Sequence, residues 1–143
     1  MKIAIGNDHG GLELANACRD WLNENNFQVI DCGTHTLESV HYPVYAKKVV
    51  EEIIRDRANF GILVCGTGIG ISISANKWPE IRGGLCHNET TARLTRQHND
   101  ANILTMPARH LSWEEVKKIV DTFLITKFEG GRHEKRVEKI KIK

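Results

Sequence analysis

The chain has 143 residues, with 20 basic and 18 acidic side chains and a formal net charge of +2. This length fits one domain with a sizeable core, and the nearly balanced charge does not indicate a nucleic-acid partner. No stretch approaches the roughly 20 apolar residues of a membrane span. No charged segment followed by an apolar one opens the chain, so we expect a cytoplasmic protein without a membrane partner. The four cysteines show no CxxC spacing, which argues against a metal site or a dithiol redox motif.

The first half of the chain predicts strands that alternate with helices. Residues 2–5 and 27–30 have the composition of short strands, and a helix is expected between them because four apolar residues share one face. These four are Leu12, Ala15, Cys18 and Leu22. Pro43 fits the first turn of a second helix. Apolar residues at positions 46, 49, 50, 53 and 54 form one stripe along that helix.

The second half continues the alternation. Residues 62–64 are apolar on both faces, as in a buried parallel strand, and 69–75 begin the helix that follows. Short strands are expected at 83–86 and 102–105. Helix starts are indicated by Asn88, by a capping box of Ser112 with Glu115, and by Arg132 after two glycines.

Five strands that alternate with helices predict a single α/β domain over residues 1–143. The expected architecture is a three-layer α/β/α sandwich with a five-stranded parallel sheet of the Rossmann-like kind. Ligands bind outside the carboxyl ends of the strands in such sheets. The glycine-rich loops 6–11 and 65–70 both follow strands. If strands one and three are neighbours, these loops face each other across one crevice.

Cys65 precedes the segment GTGIG at 66–70. Closely spaced glycines let backbone N–H groups converge on an anion, and the helix that follows adds positive potential. The segment lacks the lysine of a Walker motif, and loop 6–11 lacks GxGxxG. We interpret Cys65 as a catalytic base or nucleophile beside an anion-binding turn. The alternative is that the glycines only pack a helix against a strand and that the thiol is an inert core group.

Three further groups are candidates for the same site. Asp8 and His9 lie in the first strand-to-helix loop, where Asp8 could instead cap the helix. His98 closes the fourth helix, where a histidine often satisfies backbone carbonyls. Arg132 and Arg136 are one helical turn apart and suit a phosphate dianion, or they form a solvated face. A base, an acid, amide donors and cations together fit proton abstraction next to a carbonyl on a phosphorylated sugar.

The chain resembles the family of type B ribose-5-phosphate isomerase, which also contains allose- and galactose-6-phosphate isomerases. Five segments carry the resemblance in order: GNDHGG at 6–11, YP at 42–43, ILVCGTGIGISISANK at 62–77, RQHNDANIL at 96–104 and EGGRHEKRV at 129–137. The resemblance implies an aldose–ketose isomerase that uses no metal or other cofactor and acts on a phosphorylated pentose through a cis-enediolate. The alternatives are isomerisation of a hexose 6-phosphate and a non-catalytic sugar-phosphate-binding module.

The resemblance also implies roles for individual residues. Cys65 moves the proton between C2 and C1, Thr67 forms a hydrogen bond near the reacting centre, and His98 helps to open the furanose ring. His9 and the arginines hold the phosphate, Asp8 contacts ring oxygens and Asn99 contacts hydroxyls. The full substrate-binding set is Asp8, His9, Gly66, Thr67, Gly68, Ile69, Gly70, Asn99, Arg109, Arg132 and Arg136.

Members of the family are homodimers with shared sites, so the resemblance implies a homodimer here, or a tetramer of two dimers. The expected contributions from the partner are His98, Asn99 and Arg109. The C-terminal segment from about residue 129 is expected to close the phosphate site or the dimer interface. Two positions depart from the family pattern: His41 stands where aspartate is usual, and Pro107 stands where glycine is common.

Overall fold

The computed structural model describes residues 1–141, and the last two residues of the predicted basic tail lie outside this range. Five parallel strands form one sheet: β1 (Lys2–Asn7), β2 (Gln28–Asp31), β3 (Phe60–Cys65), β4 (Gly83–Leu85) and β5 (Ile103–Pro107). The helices are α1 (Leu12–Glu24), α2 (Tyr42–Ile54), α3 (Ile69–Ala75), α4 (Glu89–Asn99), α5 (Trp113–Ile125) and α6 (Arg132–Ile140). The predicted fold class is confirmed. Within residues 1–141, each helix is too short or too polar to cross a bilayer.

The sheet separates two apolar cores. On one face α1 and α5 pack against the sheet, with Leu22 and Phe123 fully buried. On the other face α2 and α3 cover the sheet through residues such as Val49 and Ile71. Side chains of β3 alternate between the two cores, with Ile62 and Val64 on one side and Leu63 and Cys65 on the other. This alternation confirms the prediction of a strand buried on both faces.

The strand order β2-β1-β3-β5-β4 makes β1 and β3 neighbours. The chain winds outward in opposite directions from this pair, so the order reverses between β1 and β3. Loops 6–11 and 65–70 therefore leave adjacent strands at the same edge. The N–H of Asp8 donates to the carbonyl of Val64 at 3.3 Å, which ties the first loop to the end of β3. The two loops thus lie at the switch point, where parallel sheets bind ligands.

Helix starts follow the predicted signals, except that the capping box predicted for Ser112 with Glu115 is only half formed. Asn88 and Thr91 form a full capping box, because Asn88 Oδ1 accepts from the Thr91 N–H at 2.8 Å and Thr91 Oγ1 accepts from the Asn88 N–H at 3.4 Å. Ser112 Oγ accepts from the Glu115 N–H at 3.3 Å, which is the first half of the box predicted there. Pro43 lies in the first turn of α2, as predicted.

The start of α1 approaches β3 so closely that Gly11 leaves no room for a side chain. A Cβ atom on Gly11 would lie 2.4 Å from the carbonyl oxygen of Val64. That oxygen belongs to the backbone of a central strand, so it cannot move aside easily. Gly10 has ordinary space, since its Cβ would lie 3.5 Å from the nearest atoms. The two adjacent glycines therefore differ in what they contribute to the fold.

Gly11→Ala is expected to destabilise the protein by about 1–3 kcal/mol, the usual cost of overpacking a core. Gly10→Ala should change stability by no more than about 0.5 kcal/mol. Urea unfolding followed by circular dichroism would measure both values, with an unchanged m-value as the check on two-state behaviour. Equal stability of the two variants would contradict the close contact between Gly11 and Val64.

Candidate active site

Cys65 is the last residue of β3 and lies beneath the glycine-rich turn 66–70. Its side chain is in the core, and the residue is 5% exposed. The N–H of Gly68 donates to Cys65 Sγ at 3.2 Å. Gly68 has a φ of 73°, and a Cβ there would lie 2.8 Å from the backbone of Met106, so this turn requires glycine. The turn thus aims a backbone donor directly at the sulfur.

The outer side of the turn faces solvent. Thr67 is exposed, and Ile69 is 52% exposed although its side chain is apolar. The N–H of Ile69 donates to Thr67 Oγ1 at 3.3 Å, which orients the hydroxyl over the start of α3. Within one chain the sulfur thus lies just below an open surface. One chain thus contributes Cys65 and the turn 66–70 to the candidate site.

Arg109 lies against this turn in its own chain. A Cβ on Gly66 would lie 3.0 Å from the guanidinium carbon of Arg109, and a Cβ on Gly10 would lie 3.7 Å from Arg109 Nη2. The backbone N–H of Arg109 also donates to the Gly66 carbonyl at 3.0 Å. Within one chain Arg109 thus flanks its own turn, which favours a role there, and the expected contribution of Arg109 to a partner's site stays a prediction. Pro107 does not disturb this arrangement, because β4 pairs with β5 only as far as Thr105.

Asp8 and His9 lie beside the turn and already have partners. Asp8 is 7% exposed, and its Oδ1 accepts from the Gly11 N–H at 3.1 Å. The capping role considered for Asp8 is therefore present. His9 Nδ1 accepts from the Val40 N–H at 3.2 Å, which fixes its ring in a half-buried position. Oδ2 of Asp8 and Nε2 of His9 are the atoms that these contacts do not engage.

Tyr42 is a residue at this site that the sequence analysis did not single out. A Cβ on Gly70 would lie 2.6 Å from the Tyr42 ring, so the ring packs directly on the turn. Tyr42 opens α2, and the preceding His41 has extended backbone geometry as its N-cap. The sequence signal was the segment YP at 42–43, which the resemblance already contained. The aromatic ring thus lies against the turn 66–70 at Gly70.

His98 and Asn99 lie at the opposite edge of the sheet within the same chain. The helix α4 ends at Asn99, before β5 begins. Cys65 is in register with Pro107, at the far end of β5. At about 3.3 Å per residue, β5 alone separates the two edges by roughly 13 Å. Asn99 instead lines a cavity of about 350 Å³ together with Arg82, Thr95 and Ile140.

Arg132 and Arg136 accompany His98 at this second edge. Both are exposed on α6, where the predicted helix forms. Between them in sequence, the buried His133 stacks on the His98 ring, with 4.3 Å between ring centroids and 14° between ring planes. The structure thus brings Cys65, Thr67, Asp8, His9 and Arg109 together at one edge. It places His98, Asn99, Arg132 and Arg136 at the other.

His98, Glu129 and His133 bring their polar atoms within 4.8 Å of one another, which raises the question of a metal site. An imidazole binds zinc along its in-plane lone pair at about 2.0–2.1 Å. Two nearly parallel stacked rings do not direct these lone pairs to one point. We therefore interpret His98 and His133 as a stacked ring pair beside the Glu129 carboxylate and assign no metal to them.

The other three thiols are in environments that keep them protonated. Burial raises the pKa of Cys18 to about 12. Burial, with a contribution from nearby Glu52, raises the pKa of Cys32 to about 11, and burial raises that of Cys86 to about 11. These three thiols behave as small core side chains.

The comparisons with known proteins agree along the whole chain. A model of the family described as ribose/galactose isomerase matches residues 3–140. Ribose-5-phosphate isomerase B of Escherichia coli is 45% identical over 139 residues, which cover 97% of this chain and 93% of that protein. Among solved structures, ribose 5-phosphate isomerase of Thermotoga maritima has a TM-score of 0.97 at 51% identity, covering 98% of this chain and 97% of the other. The type B enzyme of Trypanosoma brucei has a TM-score of 0.94 at 44% identity, covering 98% and 96%.

Iodoacetamide at pH 8 is expected to alkylate Cys65 before the other cysteines. A thiol of pKa about 11 is ionised to roughly one part in a thousand at this pH, and only the thiolate reacts. Peptide mass spectrometry at short times would measure the order of labelling. The denatured chain, in which all four cysteines are open, is the control. Faster labelling of Cys32 or Cys86 would contradict this account of the four thiols.

Proposed function

The chain belongs to the ribose/galactose isomerase family, and from this membership we propose that it interconverts D-ribose 5-phosphate and D-ribulose 5-phosphate. The observation that carries the proposal is the Gly68 N–H aimed at Cys65 Sγ, beneath an open turn that Arg109 flanks. The names of the relatives favour the pentose over a hexose 6-phosphate. No cofactor is required by the proton transfers described next, and the cytoplasmic location stays a prediction.

The proposed chemistry begins from the open-chain aldose. The Cys65 thiolate removes the proton from C2, and the electron pair of that C–H bond forms the C1–C2 double bond. The charge moves to the oxygen on C1, which gives a cis-enediolate. Backbone N–H groups of the turn 66–70 stabilise this oxyanion, and the Thr67 hydroxyl lies at its edge. The thiol then returns the proton to C1, the proton of the C2 hydroxyl passes to the oxyanion on C1, and the C2 oxygen becomes the carbonyl of the ketose.

The phosphate and the sugar hydroxyls are assigned to different residues of this edge of the sheet. We assign the phosphate to Arg109 and His9, because a guanidinium and an imidazole N–H are good donors to phosphate oxygens. Asp8 Oδ2 is available for the sugar hydroxyls, while Oδ1 stays engaged with the Gly11 N–H. These contacts orient the C2–H bond toward Cys65.

The remaining residues require a second copy of the chain. His98, Asn99, Arg132 and Arg136 lie at the far edge of their own sheet, so we propose a homodimer in which the partner's α4 end and C-terminal segment from about residue 129 cover the crevice. The surface of α3 supports this proposal. Ile69 and Ile73 are 52% and 58% exposed and one helical turn apart, which leaves an apolar face beside the open turn. In this arrangement Arg109 serves its own chain, and the partner supplies His98 for ring opening.

Cys65→Ala is expected to lower kcat for ribose 5-phosphate by at least about 10³, because no other group at the turn can remove the C2 proton. Binding should persist, since the phosphate and hydroxyl contacts remain. A coupled assay for ketose formation and the rise in Tm with added ribose 5-phosphate would measure the two effects.

Cys86→Ala is the matched control for this experiment, and it should retain activity because that thiol lies in the core. Turnover in Cys65→Ala would contradict the assigned base. The same assay with allose 6-phosphate and galactose 6-phosphate tests the substrate. A higher kcat/KM for a hexose phosphate would contradict the pentose assignment and leave the reaction type in place.

Mixing Cys65→Ala with His98→Asn is expected to restore activity if sites are shared across the dimer. Each variant alone is defective at both sites, whereas a heterodimer has one site with both native residues. Random reassociation in a two-fold dimer then gives about a quarter of wild-type activity. The measurement is the isomerase rate after the two variants are unfolded and refolded together.

Refolding each variant alone is the control for this recovery. A mixture no more active than the mean of the two single variants would contradict the shared site. Size-exclusion chromatography of the mixture should show a dimer. A monomeric wild-type protein that is fully active would likewise contradict the proposed assembly.

A further inference from the structure

The His133 ring lies flat against the ring of His98. The ring centroids are 4.3 Å apart and the planes differ by 14°. His133 is 5% exposed, whereas His98 is only partly buried. His133 is thus held in the interior, and the ring of His98 is partly accessible. The proposed function uses His98 and leaves His133 without a role.

The backbone holds this pair in place. The N–H of Glu129 donates to the carbonyl of Gln97 at 3.0 Å, which joins the segment before α6 to the last turn of α4. Gly130 and Gly131 follow with φ values of 68° and 55°, which glycine adopts readily and other residues rarely do. The chain reverses there, and His133 enters α6 directly beside His98. The stack is therefore built by local connections of the backbone.

Burial, together with most of the charges around His133, lowers its pKa and favours the neutral form, whereas the Glu129 carboxylate opposes this shift. His98 faces it from α4, the Glu129 carboxylate lies 3.9 Å from its Nε2, and Arg132 and Arg136 flank it on α6. Within residues 1–141 its buried Nε2 has no hydrogen-bond partner. Burial and then the nearby charges of His98 and Arg132 lower the pKa of His133. A neutral His133 ring presents a π face to the His98 ring.

We propose that His133 is a positioning residue that fixes the plane of the His98 ring, so that His98 can deliver its proton to the furanose ring oxygen of a substrate bound in the partner chain. This inference rests on the proposed function. Ring opening transfers a proton from His98 to the ring oxygen as the bond between that oxygen and C1 breaks, and the C1 hydroxyl gives its proton to water, which leaves the aldehyde. A ring free to rotate would present this proton in the right direction only part of the time.

The two substrates of the reaction separate this step from the chemistry at Cys65. Ribose 5-phosphate is mainly a closed furanose and needs ring opening. Ribulose 5-phosphate is acyclic, because its 5-oxygen carries the phosphate. A defect in ring opening should therefore slow the first substrate and spare the second. A general structural defect should slow both.

His133→Ala is expected to lower kcat for ribose 5-phosphate by about tenfold, with KM and the initial rate from ribulose 5-phosphate changed by less than about twofold. His133→Phe keeps a flat ring against His98 and should stay within about threefold of wild type. In proton NMR, the His98 ring signals should lose the upfield shift from stacking in the alanine variant and keep it in the phenylalanine variant.

Lys135→Ala is the matched control, since Lys135 is exposed on the same helix and lies outside the stack. Equal losses with both substrates, or a raised KM, would overturn the positioning role and show that His133 acts through the fold or through the neighbouring arginines. An unimpaired His133→Ala would also overturn it. In either case an active wild-type enzyme leaves the proposed function standing. A wild type that isomerises neither sugar would defeat the proposed function, and this inference with it.

Discussion

The fit of α1 against β3 is the constraint on which the rest of the structure depends. Gly11 brings the backbone of the first loop against the Val64 carbonyl, a distance that no larger residue allows. The contact holds loop 6–11 beside loop 65–70 at the point where the strand order reverses. Asp8 and His9 lie at the same edge of the sheet as Cys65 as a result. The placement of the candidate site residues thus depends on the close approach of two backbone segments, which Gly11 allows.

A parallel sheet also limits what one chain can bring together. Every loop that follows a strand lies at one edge, and every helix that precedes a strand ends at the other. Cys65 follows β3, whereas His98 precedes β5, so the topology separates the proposed base from the proposed acid. No loop movement of ordinary size closes a gap of roughly 13 Å through a packed core. Arg109 follows β5 and is consequently on the same edge as Cys65.

The sequence predicted the elements well because their signals are local. The apolar run 62–64, the glycines at 66–70 and the cap at Asn88 each depend on residues a few positions apart, and all three appear as expected. The placement of Tyr42 on Gly70, of Arg109 on Gly66 and of His133 on His98 depends on tertiary packing instead. Residues so distant in sequence carry no shared periodicity, and strand order was needed before they could be placed. The roles of the site residues came from the family resemblance, and the geometry alone does not assign them.

A buried polar network at the end of β1 also fixes loop 6–11. Asn7 is fully buried at the end of β1, and its side-chain nitrogen donates to the carbonyls of Asp8 and Thr34 at 3.0 and 3.2 Å. Arg19 donates to the oxygen of the same side chain and pairs with Asp31 at 2.9 Å. A buried guanidinium is costly unless its partners are fixed, so this network resists rearrangement. The half of the site that one chain builds is therefore rigid before any substrate arrives. In the proposed homodimer, preorganisation of this kind lets the energy of dimer contact and phosphate binding go to aligning the residues from the partner.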